Sequence, residues 1–481
     1  MSTRSLAGTD GLHVVGQSVD RNDGVGHVTG RDIYSADRTF PGLLHLKIVR
    51  SPVHHARLRG VDLSEAQKVP GFVRALAAAD VPHNVYTILG LIGVEPEEEF
   101  LLTPVGERVR YKGEPIIAIA AETEAAALDA VARVRLDLEE LPAVFDVDEA
   151  LAPGAPVVTH WGNNTFMYEG HVCRRVRYGD VEAGFAQADH IIEGEYRTSP
   201  IEHAPIETTG CIALPEPNGR FTVYTNTQAL YFSLDNTSII LNVPGNRLRF
   251  IGGMVGGGFG GKVDVIVEPL ATLAAMKTGR PVRYVYNRSD EMQVSSTRSP
   301  EIIRIKDGFM SDGRLVARKV TGLMDCGAYS RQTPYAVTKF AANAAGPYAI
   351  PNVWIDGYCV YTNRTPTSAM RGFGITMASF ALEVQMDKIS ELTGVDPWTL
   401  RLRNAYRNGD IKPHRKVVDD ATLIETIQAA AQLVGVELAP DLKALTSAPR
   451  DEAAHARHAA AVAAGTALAA GTPAARDGAA R

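Results

Sequence analysis

The chain has 481 residues, a formal net charge of −6 and an apolar content of 45%. This length accommodates two or more domains with a large buried core, and the lack of a basic excess argues against a nucleic-acid partner. The first 18 residues contain no apolar segment typical of a signal peptide, and no stretch is long enough to cross a bilayer, so we expect a cytoplasmic protein without a membrane partner.

The first predicted unit is an α+β domain over residues 13–150. Strands are expected at 43–49, 73–77, 115–120 and 134–138, where apolar residues alternate or run continuously. An alanine-rich helix over 123–132 precedes the last of these strands, with Thr123 as its N-cap. A connector rich in proline and glycine at 152–156 ends the unit.

The second predicted unit, residues 151–440, alternates strands with helices, which favours an α/β build and makes the whole chain a mixed α+β and α/β protein. It contains strands at 191–196, 210–214, 222–225 and 282–286, a hairpin of 302–306 with 315–321, and helices at 181–188, 232–241, 375–392 and 422–434. Asp396 and Pro397 mark the start of a further helix. Residues 441–481 are rich in alanine, so we expect a disordered or weakly helical tail.

A glycine-rich loop, Gly252–Lys262, lies in the middle of the chain, and seven of its eleven residues are glycine. Glycine allows a positive φ and lets the backbone approach a ligand closely, because it has no Cβ. A strand at 248–251 is expected before the loop and a helix at 263–277 after it. This order directs backbone N–H groups and a helix N-terminus toward an anion.

Common phosphate-binding patterns match this loop only in part. Residues 256–261 fit G-x-G-x-x-G, but a run of glycines satisfies that pattern almost automatically, and a nicotinamide or flavin fingerprint is expected near the first strand of its fold. Residues 256–262 fit G-x-x-x-x-G-K, yet Val263 has no hydroxyl to bind magnesium, which argues against an ATPase. A dinucleotide-dependent dehydrogenase and a purely structural turn therefore remain as alternatives.

Metal ligands are scarce in the sequence. Its four cysteines are separated by dozens of residues and form no C-x-x-C pair, so we expect no iron–sulfur cluster or structural zinc site. The H-E-x-x-H pattern is absent as well. Any redox metal must therefore be held by something other than a set of protein ligands, or lie outside this chain.

Three further segments combine polar and apolar residues at the ends of predicted strands. Residues 198–207 contain Glu202, His203 and Glu207, which either satisfy loop backbone groups or belong to a site. Arg298 lies in a hydroxyl-rich turn at 295–300. Arg371 lies among glycines ahead of a long helix, where a guanidinium can bind a ligand in a fork geometry.

Five motifs in this order resemble the molybdenum-binding subunit of the xanthine dehydrogenase and aldehyde oxidase family. The resemblance covers residues 13–435. The motifs are Val28-Thr29-Gly30 with Arg50-Ser51-Pro52, Tyr111-Lys112-Gly113-Glu114-Pro115, Thr227-Gln228, the loop up to Lys262, and Arg371-Gly372-Phe373-Gly374.

The resemblance implies an N-terminal a/b hammerhead domain followed by the first half of a molybdopterin-binding domain. The cofactor would be molybdenum held by molybdopterin, in the cytosine dinucleotide form, with no iron–sulfur cluster or flavin in this chain. It would serve to insert oxygen from water into an electron-poor C–H bond. The resemblance assigns catalytic roles to Arg371, Arg298 and Phe259. It assigns cofactor contacts to Gly256, Gly257, Gly258, Phe259, Gly260, Thr227, Gln228, Arg371, Gly372 and Phe373.

Several residues depart from the family pattern, and these departures narrow the range of expected substrates and subunit arrangements. Val263 and Ile201 replace a substrate-binding glutamate and a glutamine of xanthine enzymes, so xanthine is not the expected substrate. The general-base glutamate of a G-x-G-E segment is not matched after residue 410. The nicotinate dehydrogenase branch divides this subunit in two, which implies as partners a second molybdopterin-binding subunit, a 2Fe–2S subunit and an FAD subunit, with a small nicotinate-like or purine-like substrate. The alternative is a truncated or non-catalytic subunit that only holds the cofactor.

Overall fold

The computed structural model describes residues 13–15, 18–90 and 98–470. Its strands are β1 Leu44–Arg50, β2 Ala56–Asp62, β3 Phe72–Leu76, β4 Val85–Tyr86, β5 Glu99–Phe100, β6 Arg108–Val109, β7 Pro115–Ala121, β8 Arg135–Glu140, β9 Arg174–Tyr178, β10 His190–Arg197, β11 Gly210–Pro215, β12 Phe221–Thr225, β13 Leu248–Gly252, β14 Val282–Val285, β15 Glu301–Phe309, β16 Leu315–Gly327 and β17 Asn352–Tyr361. Its helices are α1 Gly24–Thr29, α2 Glu124–Arg133, α3 Val147–Leu151, α4 Val181–Gln187, α5 Leu230–Leu241, α6 Glu268–Thr278, α7 Arg288–Val294, α8 Thr333–Asn343, α9 Thr376–Thr393, α10 Pro397–Asn404, α11 Leu423–Leu433, α12 Pro440–Lys443 and α13 Glu452–Ala470.

A seven-stranded sheet combines strands from both predicted units, in the order β13-β12-β11-β14-β1-β7-β3. Strand β1 pairs in parallel with β14, with Leu44 opposite Val282. The side chains of α6 pack into the same core as the apolar residues of β1, β11 and β14. Because β13 is the edge strand, the glycine-rich loop that follows it leaves the sheet at that edge.

A five-stranded sheet forms the second layer, in the order β10-β15-β16-β17-β9. The predicted hairpin is confirmed, since β15 and β16 pair antiparallel from Glu301 opposite Met324 to Phe309 opposite Leu315. Strand β17 pairs in parallel with β16. The apolar residues of α8 and α9 complete the core of this layer, so the turn between β17 and α9, which carries Arg371, is held over the sheet.

A third sheet, β6-β2-β8, shares an apolar core with α2 and with residues of β1 and β7. The predicted cap of α2 is confirmed, because Thr123 accepts a hydrogen bond from the N–H of Ala126 at 3.1 Å. The predicted cap of α10 is confirmed as well, with Asp396 accepting from the N–H of Thr399 at 2.9 Å.

A buried ion pair joins two strands of the five-stranded sheet. Arg318 on β16 donates two hydrogen bonds to Asp307 on β15, at 2.7 and 2.8 Å, and both side chains are fully buried. A third guanidinium N–H donates to the carbonyl of Ala345 at 3.0 Å. The guanidinium is therefore surrounded by acceptors rather than by water.

The structure differs from the predictions in several places. The helix expected at 263–277 begins only at Glu268. Gly261–Val263 form a short 3-10 turn, and Asp264, whose carboxylate accepts hydrogen bonds from three side chains, has an extended backbone that separates this turn from the helix. Helix α8 and strand β17 were not predicted. The alanine-rich segment forms α13 over Glu452–Ala470, in keeping with the high helix propensity of alanine, whereas residues 471–481 lie outside the described part of the chain.

Candidate functional site

The glycine-rich loop folds against three neighbouring segments so closely that side chains larger than hydrogen do not fit. A Cβ on Gly256 would lie 2.4 Å from the Cβ of Glu207, and one on Gly258 would lie 2.5 Å from the side chain of Gln228. At Gly260, where φ is +109°, a Cβ would lie 2.6 Å from the carbonyl oxygen of Ala369. The glycines are therefore required by packing within the chain itself.

Thr227 and Gln228, which follow β12, hold the C-terminal half of the loop. The Gln228 side chain accepts hydrogen bonds from the N–H groups of Gly260 at 2.9 Å and Lys262 at 3.3 Å. The Gln228 N–H and the buried Thr227 hydroxyl both donate to the Lys262 carbonyl, at 2.8 and 3.0 Å. The sequence-predicted pair is thus in direct contact with the loop.

Three successive backbone donors in the loop have no acceptor. The N–H groups of Gly257, Gly258 and Phe259 donate no hydrogen bond within the described residues, and Gly258 is buried. Gly257 and Phe259 have positive φ values of +95° and +51°. Buried N–H groups are nearly always paired in proteins, so the buried donor of Gly258, with the more exposed donors of Gly257 and Phe259 beside it, fits an anionic group such as a phosphate.

Arg371 and Phe259 meet at one exposed surface. The N–H of Arg371 donates to the carbonyl of Phe259 at 2.9 Å, which joins the β17–α9 turn to the loop. Gly372 and Gly374 have positive φ, and a Cβ on Gly374 would lie 2.1 Å from the carbonyl of Ala336 on α8. The exposed Arg371 side chain and the half-exposed Phe259 ring therefore lie at the surface where the two segments meet.

Arg298 lies behind this surface rather than on it. Its side chain donates to the carbonyl of Arg371 at 2.6 Å and contacts the sulfur of Met377 at 3.5 Å. The nearby Glu301 is fully buried, and neither of its carboxylate oxygens has a hydrogen-bond partner among the described residues. Burial raises the pKa of Glu301 to about 8, and the charge of Arg298 opposes that shift. Arg298 therefore supports the backbone that carries Arg371.

Tyr335 and Lys339 on α8 extend the exposed surface, and sequence reasoning did not identify them. The ring of Tyr335 lies 5.7 Å from that of Phe373, and the ammonium of Lys339 lies 5.0 Å above the Tyr335 ring. Their spacing of four residues, once α8 is recognised, places them on one helical face. The surface thus combines aromatic rings with an ammonium group and the Arg371 guanidinium.

The polar segment before β11, residues 198–207, also contacts the glycine-rich loop. Glu207 bonds with Gly256 and Lys262, whereas Glu202 accepts from Ser295 at 2.9 Å and from the N–H of Ala204. Burial lowers the pKa of Lys262, and the Glu207 carboxylate opposes that shift. Only one of the two glutamates singled out in the sequence therefore touches the glycine loop.

Within the part of the chain that the structure describes, no group of three His, Cys, Asp or Glu side chains could hold a metal ion. Over the same residues, no helix combines the length and apolar character needed to cross a membrane.

Two family models match the chain. The molybdopterin cofactor-binding domain matches residues 165–405, and the aldehyde oxidase and xanthine dehydrogenase a/b hammerhead domain matches residues 29–142. The chain belongs to the xanthine dehydrogenase and aldehyde oxidase family. Its predicted fold class is thereby confirmed, and all the predicted site residues of this family member lie within the matched cofactor-binding domain.

Named relatives extend this assignment. The chain is 32% identical over 420 residues to the nicotinate dehydrogenase large molybdopterin subunit of Eubacterium barkeri, covering 87% of this chain and 96% of the relative. It is 34% identical to a probable xanthine dehydrogenase subunit from Bacillus subtilis (strain 168), covering 88% and 54%. The solved aldehyde oxidoreductase from Desulfovibrio gigas superimposes with a TM-score of 0.81 at 31% identity, covering 87% and 47%. The chain thus spans about half the length of the last two family members.

Proposed function

We propose that this chain is the cofactor-binding subunit of a heteromeric molybdenum hydroxylase that oxidises a nicotinate-like or purine-like N-heteroaromatic ring. The observation that carries the proposal is the coverage of 96% of a nicotinate dehydrogenase large molybdopterin subunit, whereas the Bacillus subtilis relative is covered to only 54%. A chain of this kind works together with a second molybdopterin-binding subunit. The 2Fe–2S and FAD partner subunits and a cytoplasmic location belong to the same proposal.

The glycine-rich loop would hold the cofactor through its backbone. The free N–H groups of Gly257, Gly258 and Phe259 would donate to an anionic group of molybdopterin in its cytosine dinucleotide form, while Gln228 fixes the loop. When bound, this cofactor supplies the two-electron oxidation and the oxygen transfer. The loop needs no side-chain charge for this task, because backbone donors already provide the positive potential.

The exposed surface around Phe259 would bind the ring. Phe259 and Phe373 offer aromatic faces, and the guanidinium of Arg371 can bind an acceptor oxygen or nitrogen of the substrate. Lys339, which lies beside Tyr335, would pair with a ring carboxylate such as that of nicotinate. This arrangement would orient a planar heteroaromatic acid.

A general base would come from a partner subunit. Such a base contributes on the order of 10² to 10⁴-fold to the rate, so this chain alone should show negligible turnover. Arg298, being bonded to the Arg371 carbonyl, would act by holding the Arg371 turn in place rather than by touching substrate.

The test is to express the tagged chain with and without its genomic neighbours and to measure molybdenum, iron, the released pterin nucleotide and co-purifying subunits. We expect about one molybdenum per chain, cytidine nucleotide on release, and turnover of nicotinate only in the presence of the partners. Molybdenum with no turnover in the full assembly would instead support a non-catalytic cofactor-holding subunit. Absence of molybdenum in every combination would contradict the proposal.

A further inference from the structure

We propose that Glu207 is a positioning residue that sets the conformation in which the glycine-rich loop binds its anionic ligand. The inference rests on the proposed function for the identity of that ligand. One carboxylate oxygen of Glu207 accepts hydrogen bonds from the N–H of Gly256 at 2.7 Å and from the ammonium of Lys262 at 3.0 Å. The Glu207 N–H donates in turn to the Gly256 carbonyl at 3.0 Å. A single oxygen thus joins the two ends of the segment that contains the free donors.

Both side chains of the Glu207–Lys262 contact are buried. The Lys262 side chain is 1% exposed and that of Glu207 is 11% exposed, so water cannot replace either partner easily. The charges that face Lys262 from neighbouring elements are Glu291, which favours its protonated form, and Arg288, which disfavours it. Glu207 is the carboxylate bonded to the ammonium, and it therefore favours the charged form of Lys262 against the effect of burial.

The hydrogen bond from Lys262 to Glu207 also limits how the loop can bind an anion. In a phosphate loop of the G-x-x-x-x-G-K type, the lysine ammonium reaches the phosphates. In this protein the Lys262 ammonium is bonded to Glu207 instead. Anion binding must then come from the N–H groups of Gly257, Gly258 and Phe259, whose orientation depends on the anchors at Gly256 and Lys262.

Glu202 provides a matched control in the same segment. It has the same side chain and is also buried. Its hydrogen bonds go to Ser295 and to the N–H of Ala204, and its carboxylate lies 3.8 Å from Nδ1 of His203. None of these three residues belongs to the glycine-rich loop. A change at Glu202 therefore perturbs the segment without releasing Gly256.

The decisive comparison uses two double variants in the assembly with its partner subunits. Glu207→Gln with Lys262→Met removes both charges but keeps an oxygen that can accept from Gly256. Glu207→Leu with Lys262→Met removes that acceptor as well. We expect similar melting temperatures for both, because apolar replacement of a buried ion pair is often tolerated. Molybdenum content should be at least tenfold lower in the Leu variant, and Glu202→Gln should retain the parental content.

Equal molybdenum content in the two double variants would overturn the positioning role. Should the Leu variant fail to fold, Glu207→Asp keeps a charge opposite Lys262 while its shorter side chain cannot reach both partners, and parental molybdenum content there would overturn the role equally.

Hydrogen exchange of residues 252–262 in the cofactor-free full chain supplies a readout that does not depend on the cofactor. Exchange should be at least tenfold faster in the Leu double variant than in the Gln double variant, and equal rates would refute the inference. Absence of molybdenum from the parent protein would contradict the proposed function, and the exchange comparison would still decide the role of Glu207.

Discussion

Replacing Gly258 by alanine tests whether the glycine-rich loop must keep its observed path to retain the cofactor. The added Cβ would lie 2.5 Å from both Cδ and Oε1 of Gln228, so the amide must move away. Gln228 would then lose its hydrogen bonds from Gly260 and Lys262. The backbone of Gly258 itself does not have a positive φ, so the effect arises from packing alone.

The magnitude follows from these contacts. Two lost hydrogen bonds cost about 0.5–1.5 kcal/mol each. The crowding adds about 1 kcal/mol, the lower end for an overpacked site, because the displaced amide can turn toward solvent. The sum of about 2–4 kcal/mol would be drawn from cofactor binding, which corresponds to roughly 30- to 700-fold weaker retention at about 1.4 kcal/mol per tenfold.

The assay is molybdenum per chain after gel filtration, together with the rate of molybdenum loss on dilution. Gly253→Ala is the matched control, because its Cβ would have no neighbour closer than 3.7 Å and that residue is exposed. We expect the control to retain molybdenum at the parental level. Parental retention in Gly258→Ala would refute the view that Gln228 and the loop fit each other as a pair.

Four further outcomes are expected. Arg371→Ala should lower kcat/KM of the assembly at least tenfold with little change in melting temperature, because the side chain is exposed. Lys339→Met should raise the KM for nicotinate by roughly tenfold, in line with loss of one charge-assisted hydrogen bond, and leave kcat and the KM for an uncharged ring unchanged. Arg318→Met should cost about 3–5 kcal/mol in urea unfolding, and adding Asp307→Leu should recover most of it. Glu301→Gln should gain stability relative to the parent as pH rises from about 4.5 to about 8, because only the unfolded parent ionises in that window; a difference that does not change with pH would contradict the raised pKa.

Local patterns in the sequence were sufficient to predict the elements around the site, but not to predict which distant residues these elements contact. Alternation and capping residues located the strands that flank the loop, and the family motifs located Gln228 and Arg371. The contacts that define the site join distant residues: Glu207 to Lys262 across 55 positions, and Arg298 to the Arg371 carbonyl across 73. Strand periodicity identifies which face is buried, but it carries no information on which side chain lies opposite.

The missed residues on α8 have a specific origin. The helix begins at Thr333, and Pro334 lies in its first turn, where proline is tolerated. Its buried residues Ala336, Val337 and Phe340 follow helical spacing. Recognising that spacing would have placed Tyr335 and Lys339 on the opposite, exposed face.

The pairing of β1 with β14 shows a second limit of prediction from the sequence, which concerns the domain boundary. These strands lie more than 230 residues apart, and their alignment places parts of both predicted units in one sheet. A boundary near residue 150 was inferred from a proline- and glycine-rich connector, which marks a change of direction in the chain and not a separation of cores. The domain boundary therefore stays a prediction, whereas strands of both predicted units lie in one sheet.

The loop also shows why a literal pattern match can mislead about anion binding. Its G-x-x-x-x-G-K sequence is that of a phosphate loop, yet Lys262 bonds to Glu207 and the following helix starts at Glu268, whose carboxylate is buried against Thr225. Neither the lysine nor the helix N-terminus is therefore available to an anion. The remaining donors are the N–H groups of Gly257, Gly258 and Phe259. How strongly they bind an anion depends on the geometry of the loop and not on a side-chain charge. Substitutions that alter loop packing, such as Gly258→Ala, should consequently impair cofactor retention more than the conservative removal of the Lys262 charge together with its Glu207 partner.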